Sequence, residues 1–106
     1  MGKPLDPTRD HRISLADAAE QTRRARQGGP YRKGDSSAFN AKPVLELLAQ
    51  PGCVGLRIYK GRDEAGEDSM VLVGVDTDGN DMTKGVLLNI GFPCPPYCPD
   101  DDELNT

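Results

Sequence analysis

The stretch Val54-Gly55-Leu56-Arg57-Ile58-Tyr59-Lys60, the polar run Gly61-Arg62-Asp63-Glu64-Ala65-Gly66-Glu67-Asp68 and the run Met70-Val71-Leu72-Val73-Gly74-Val75 decide the fold class. In the first, Val54, Leu56, Ile58 and Lys60 take one side. Gly55, Arg57 and Tyr59 take the other, the period of two that a half-buried strand requires. The last run is apolar almost throughout, as a strand in the middle of a sheet is. Polar turn residues between two such runs predict an antiparallel hairpin. Asp76-Thr77-Asp78-Gly79-Asn80-Asp81 predicts a second turn, and Val86-Leu87-Leu88-Asn89-Ile90 a third strand or a short docked segment.

Two helices are expected upstream. Ser14 suits an N-cap, with Asp17 in the position of the capping-box acid. Leu15, Ala18, Ala19, Thr22 and Ala25 recur at helical spacing, and Glu20 stands four before Arg24 on a solvated side. Arg23, Arg24 and Arg26 fill the last turn, where the macrodipole favours cations, and Gly28-Gly29 ends it. Residues 28–37 read as loop. The second helix starts at Asn40, tolerates Pro43 in its first turn and presents Val44, Leu45, Leu47 and Leu48 as its apolar face. Gln50-Pro51-Gly52 stops it. The expected fold is α+β, two helices packed on a small antiparallel sheet of two to three strands. A flexible arm over 1–12 precedes one domain over 13–92, and a tail rich in proline, cysteine and acids covers 93–106.

Composition bounds the function classes. A chain of 106 residues has room for one ordinary domain. The net charge of −4 conceals a gradient from a basic start to an acidic end, for Lys84 is the sole cation beyond residue 76. Arg23, Arg24, Arg26, Arg32 and Lys33 form a basic cluster, yet the chain is acidic overall and Tyr31 is the only aromatic nearby. Nucleic acid is therefore not the expected partner. No run approaches the ~20 apolar residues of a membrane helix, and the N-terminus lacks the apolar core of a secretory signal. The expected location is the cytoplasm, where cysteines are more often thiols or ligands than disulfide scaffolds.

Chemistry is sparse in the pattern. His11 is the one histidine, and no nucleophile elbow, phosphate-binding glycine loop or His-Glu-x-x-His is present. No catalytic residue is expected. Asp76, Asp78 and Asn80 imitate the first ligands of a calcium loop, but Asp81 and Leu87 stand where such a loop needs Gly and Glu. Cys94 and Cys98, in Cys94-Pro95-Pro96-Tyr97-Cys98, are spaced closely enough to bridge as a redox pair. With Cys53 and His11 they would satisfy zinc on count alone, although the spacing is not that of a zinc knuckle. A lone Cys53 beside a strand is ordinarily a small buried hydrophobe.

Taken together, Gln50-Pro51-Gly52-Cys53, Gly55-Leu56-Arg57-Ile58-Tyr59, Val71 to Asp76, Gly79-Asn80-Asp81 and the Cys94 to Cys98 motif resemble a group of short bacterial proteins. That group shares an opening helix like Ile13-Ser14-Leu15 and a terminal Cys-Pro-Pro-x-Cys. The resemblance spans residues 13–98 and implies a bacterial, intracellular protein. It carries no activity.

The leading expectation is a small protein-interaction module with an unidentified protein partner and no cofactor. Cys94, Pro95, Pro96, Tyr97 and Cys98 would be the partner-binding residues, an extended polyproline-like epitope anchored by Tyr97. Packing of the tail over a sheet edge is the competing reading of the same segment. The alternative function is a thiol-redox or zinc-binding protein that uses Cys94 and Cys98, with Cys53. A homodimer sharing a sheet edge also fits the pattern.

Overall fold

The computed structural model describes residues 2–29 and 35–105. Its elements run α1 (Leu15–Gly28), β1 (Ser36–Ala38), α2 (Ala41–Leu48), β2 (Gly55–Arg62), β3 (Asp68–Val75), β4 (Leu87–Leu88) and β5 (Phe92–Cys94). The class is α+β. The chain divides into two compact units, one of Met1–Pro7 with Phe39–Gly91 and one of Thr8–Ala38 with Phe92–Thr106. The sequence pattern puts boundaries after residues 12 and 92, whereas the contacts put them after residues 7, 38 and 91. Pairing is the cause, because β1 and β5 lie far apart in sequence and form one ribbon.

In the first unit β2 and β3 form the expected hairpin, Gly55 opposite Val75 through to Arg62 opposite Asp68. β4 adds on the far side, with Leu88 opposite Leu72 and Leu87 opposite Val73. β3 is thus central, and Leu72, Val73 and Val75 are buried. A strand covered on both faces needs apolar residues at every position, which is what the run Met70 to Val75 supplies.

Two turns of one design frame this sheet. In Asp63–Glu67 the Asp63 carboxylate accepts the Ala65 and Glu67 N–H groups, each at 2.9 Å, and Gly66 takes φ +84°. In Asp76–Asn80 the Asp76 carboxylate accepts the Asp78 and Asn80 N–H groups, each at 2.9 Å, and Gly79 takes φ +83°. Each aspartate carboxylate therefore bonds its own turn, a local role for Asp-x-x-Gly. Gly79 is required for a second reason: a Cβ there would strike the Lys3 carbonyl. Residues 2–7, expected within a flexible arm, belong to this unit, and Lys3 lies on that turn.

Helix α2 packs on β3 and β4. The Gln50-Pro51-Gly52-Cys53 turn ends it, with Gly52 at φ +83° and the Cys53 N–H donating to the Gln50 carbonyl at 3.0 Å. Gln50 then joins helix to sheet. Its Nε2 donates to the Leu47 carbonyl and its Oε1 accepts the Val86 N–H, both at 2.7 Å. The expected apolar face of Val44, Leu45, Leu47 and Leu48 needs correction. Leu47 is fully buried, but Leu45 is 63% and Leu48 38% exposed. Successive helical residues turn by about 100°, so one short helix cannot direct all four side chains to the sheet.

The second unit is built differently. α1 starts where Ser14 Oγ accepts the Asp17 N–H at 3.0 Å, and none of its residues is buried. Arg23 and Arg24 pair with Glu20. Ser36 and Ser37, expected as loop, form with Ala38 a strand antiparallel to β5, with Ser36 opposite Cys94 and Ala38 opposite Phe92. Pro93 is tolerated in this ribbon because a two-stranded sheet consists only of edges. The acidic end is ordered by polar bonds. The Asn105 side chain, buried, accepts the Asp102 N–H at 2.8 Å and donates to the Asp100 carbonyl at 3.2 Å. Arg26 donates to the Leu104 carbonyl at 3.0 Å, tying the end of α1 to the chain terminus. Among the described residues no helix is long and apolar enough to cross a membrane.

Candidate functional site

The Cys94-to-Cys98 segment grows out of the β1–β5 ribbon. Cys94 is the last residue of β5 and is buried, whereas Pro95, Pro96, Tyr97 and Cys98 are exposed. The two cysteines form a disulfide with a Cα–Cα separation of 4.7 Å. From this loop the Tyr97 N–H donates back to the carbonyl of Pro93, the residue before Cys94, at 2.9 Å. The peptide bonds before Pro95 and Pro96 are both cis. The expected extended, polyproline-like epitope is corrected here: the bridge and the Tyr97 to Pro93 bond fold the segment into a closed loop.

Tyr97 is the side chain this loop displays. It is 59% exposed, and its ring meets Phe92 edge-on with centroids 4.9 Å apart. Such an aromatic pair is worth about 0.5–1.5 kcal/mol beyond the area it covers, enough to bias the tyrosine toward one orientation. Phe92, which the sequence reading left out of the site, is therefore part of it. The signal that could have found Phe92 is an apolar aromatic standing just before the proline-cysteine segment.

The other candidates lie elsewhere. Cys53 belongs to the first unit, where its thiol donates to the Gly55 carbonyl at 3.2 Å beside Gly74. Expected as a small buried hydrophobe, Cys53 is half-buried and bonded to the backbone. Among the described residues, no group of three or more His, Cys, Asp or Glu side chains converges on a point where a metal ion could sit. Cys94 and Cys98 are bonded to one another, so in this state neither offers a thiolate. Of the basic cluster, Tyr31, Arg32 and Lys33 lie outside the described residues.

A second polar cluster is not legible as a motif. Arg57 and Tyr59 alternate on one face of β2 and reach Asp81, just past the second Asp-x-x-Gly turn. Arg57 donates to one carboxylate oxygen and the Tyr59 hydroxyl to the other, both at 2.5 Å. Arg57 also donates to the Gly79 carbonyl at 3.4 Å. The Tyr59 hydroxyl, and after it Arg57, hold the Asp81 carboxyl below the ordinary carboxylate range, against desolvation, which raises it. Asp81 in turn pushes the Tyr59 hydroxyl up. Both Asp81 carboxylate oxygens are engaged by β2 side chains, so the cluster pins the turn to β2.

A pH dependence follows from the lowered Asp81 value. A carboxyl depressed in the folded state contributes stability above its unfolded pKa of about 4 and loses it as pH falls through the folded value. Wild type is expected to be the more stable at pH 7 when compared with Asp81→Asn by urea titration, and the gap to close below about pH 4. Equal stabilities across the range would show that the pair contributes nothing.

The resemblance to short bacterial proteins adds no geometry to this picture. Compared with protein families, with curated proteins and with solved structures, the chain finds no match.

Proposed function

We propose that the protein is a small interaction module that presents the Cys94–Cys98 loop to a protein partner, with Tyr97 as the anchor. Cys94, Pro95, Pro96, Tyr97 and Cys98 form the recognition surface, and Phe92 supports it. The observation that carries this reading is an exposed tyrosine on a covalently closed loop. Aromatic side chains dominate binding energy at interfaces, and a closed loop has already lost the freedom that docking would otherwise remove. The proposed setting is the bacterial cytoplasm, without membrane or nucleic-acid partners and without a cofactor.

The Tyr97→Ala variant tests this. Because Tyr97 is largely exposed, the variant is expected to keep the circular dichroism of the wild type. Immobilised side by side, the two proteins should differ in what they retain from a cell extract, the partner binding the variant about 30-fold more weakly. Identical retained proteins would overturn the proposal.

A thiol-redox role is the second reading, favoured by the bond between Cys94 and Cys98. The zinc version of that reading requires both residues as free thiolates, and the bonded loop gives it no comparable support.

A further inference from the structure

We infer that the Cys94–Cys98 bond is a thiol–disulfide exchange site, entered at Cys98, that controls whether Tyr97 is presented. The asymmetry of the two sulfurs points to this. Cys94 is 5% exposed and fixed in the ribbon opposite Ser36, while Cys98 stands exposed on the loop. Exchange requires an external thiolate to approach one sulfur of the pair, and access decides which one. Cys98 is the sulfur that can be reached, and Cys94 is the one that leaves.

The step balances with a low-molecular-weight thiol as reductant. Its thiolate attacks Cys98 Sγ and forms a mixed disulfide there. The Cys94–Cys98 bond breaks, and its electron pair leaves on Cys94 Sγ, which takes a proton from water. A second thiolate attacks the small-molecule sulfur of the mixed disulfide, releasing Cys98 as a thiolate that is also protonated. The protein gains two thiols, and two small thiols become one disulfide. Oxidised small disulfide reverses the sequence.

The unit around the bond gives the exchange a consequence. Apart from Cys94, no apolar side chain of this unit is buried among the described residues. Its order comes from the β1–β5 ribbon, the Asn105 turn and the disulfide. Opening the bond leaves the Tyr97 to Pro93 hydrogen bond and the Phe92–Tyr97 ring contact to close the loop, each contributing only about 1 kcal/mol. In the cytoplasm proposed above, disulfides are characteristically transient and sensing, which would suit a switch better than a staple. The gating half of this inference rests on Tyr97 being the anchor; the exchange half does not.

The test uses the full chain in buffers of graded reduced-to-oxidised glutathione ratio, quenched with acid, alkylated and read by fragment-ion mass spectrometry. The bond should open and re-form along the series, with trapped glutathione on Cys98 favoured about tenfold over Cys94. Adduct on Cys94, equal adducts on both, or a bond closed at every ratio would overturn the exchange site. Hydrogen exchange on the same samples reads the gate. The Tyr97 amide should lose protection about tenfold on reduction, since its bond to Pro93 then has only the Phe92 ring contact to support it. Unchanged protection alongside adduct on Cys98 would overturn the gating alone. Retention of a partner by Tyr97→Ala bears on the interaction reading and on neither of these measurements.

Discussion

Replacing Leu47 with alanine is expected to lower the melting temperature of the first unit by roughly 10–25 °C, the consequence of losing about 3 kcal/mol. Leu47 has no exposure, and with Val75, at 1%, it is one of the two largest fully buried side chains among the described residues. Truncation to alanine removes its transfer free energy and leaves a cavity beneath α2. The neighbours cannot easily collapse into it, because the Gln50 side chain holds the helix end to the approach to β4 through Leu47 and Val86. The control is Leu45→Ala on the same helix. Leu45 is 63% exposed, and its truncation should cost within about 0.5 kcal/mol. Calorimetry of both variants checks the assignment of faces. A similar loss for each would mean that α2 does not bury the side its geometry indicates.

That contrast shows where the sequence could be read and where it could not. The α1 boundaries were legible because they are local: Ser14 supplies the cap and Gly28-Gly29 the stop. The β2–β3 hairpin was legible because a run with a period of two and an apolar run flank a polar turn, although the register over eight residue pairs was not. The buried face of α2 was not. Four apolar residues within five positions name a helix without saying which of them a neighbouring sheet will cover. β1 and β5 were equally hidden. Each is three residues long, β5 contains a proline, and the partners are separated by most of the chain, so no local pattern announces them.

The candidate site divides in the same way. The cysteine pair and Tyr97 stood out by composition, and their spacing allowed a bridge. Phe92 and the Tyr97 to Pro93 bond depend on how the chain turns back, which no spacing rule supplies. The Arg57, Tyr59 and Asp81 trio joins a strand face to a turn more than twenty residues away. Its members look ordinary until the register brings them together.

The variant Cys98→Ser should show how strongly the second unit depends on its bridge. The position is exposed, so serine brings no buried hydroxyl to satisfy, and the substitution removes the cross-link with little else. The bridge spans a sequence separation of four, and a loop this short restricts the unfolded chain by about 2 kcal/mol. In a unit with an ordinary core such a loss would be absorbed. Here Cys94 is the only buried apolar side chain among the unit's described residues, so the bridge is a large share of what holds β1 against β5. The amides that exchange hydrogen bonds between Ser36–Ala38 and Phe92–Cys94 should lose protection about 30-fold by hydrogen exchange. The amides of β3 in the first unit should keep theirs. Retained protection in the ribbon would mean that the polar bonds around Asn105 and Arg26 suffice, and that the disulfide is placed there for its chemistry alone.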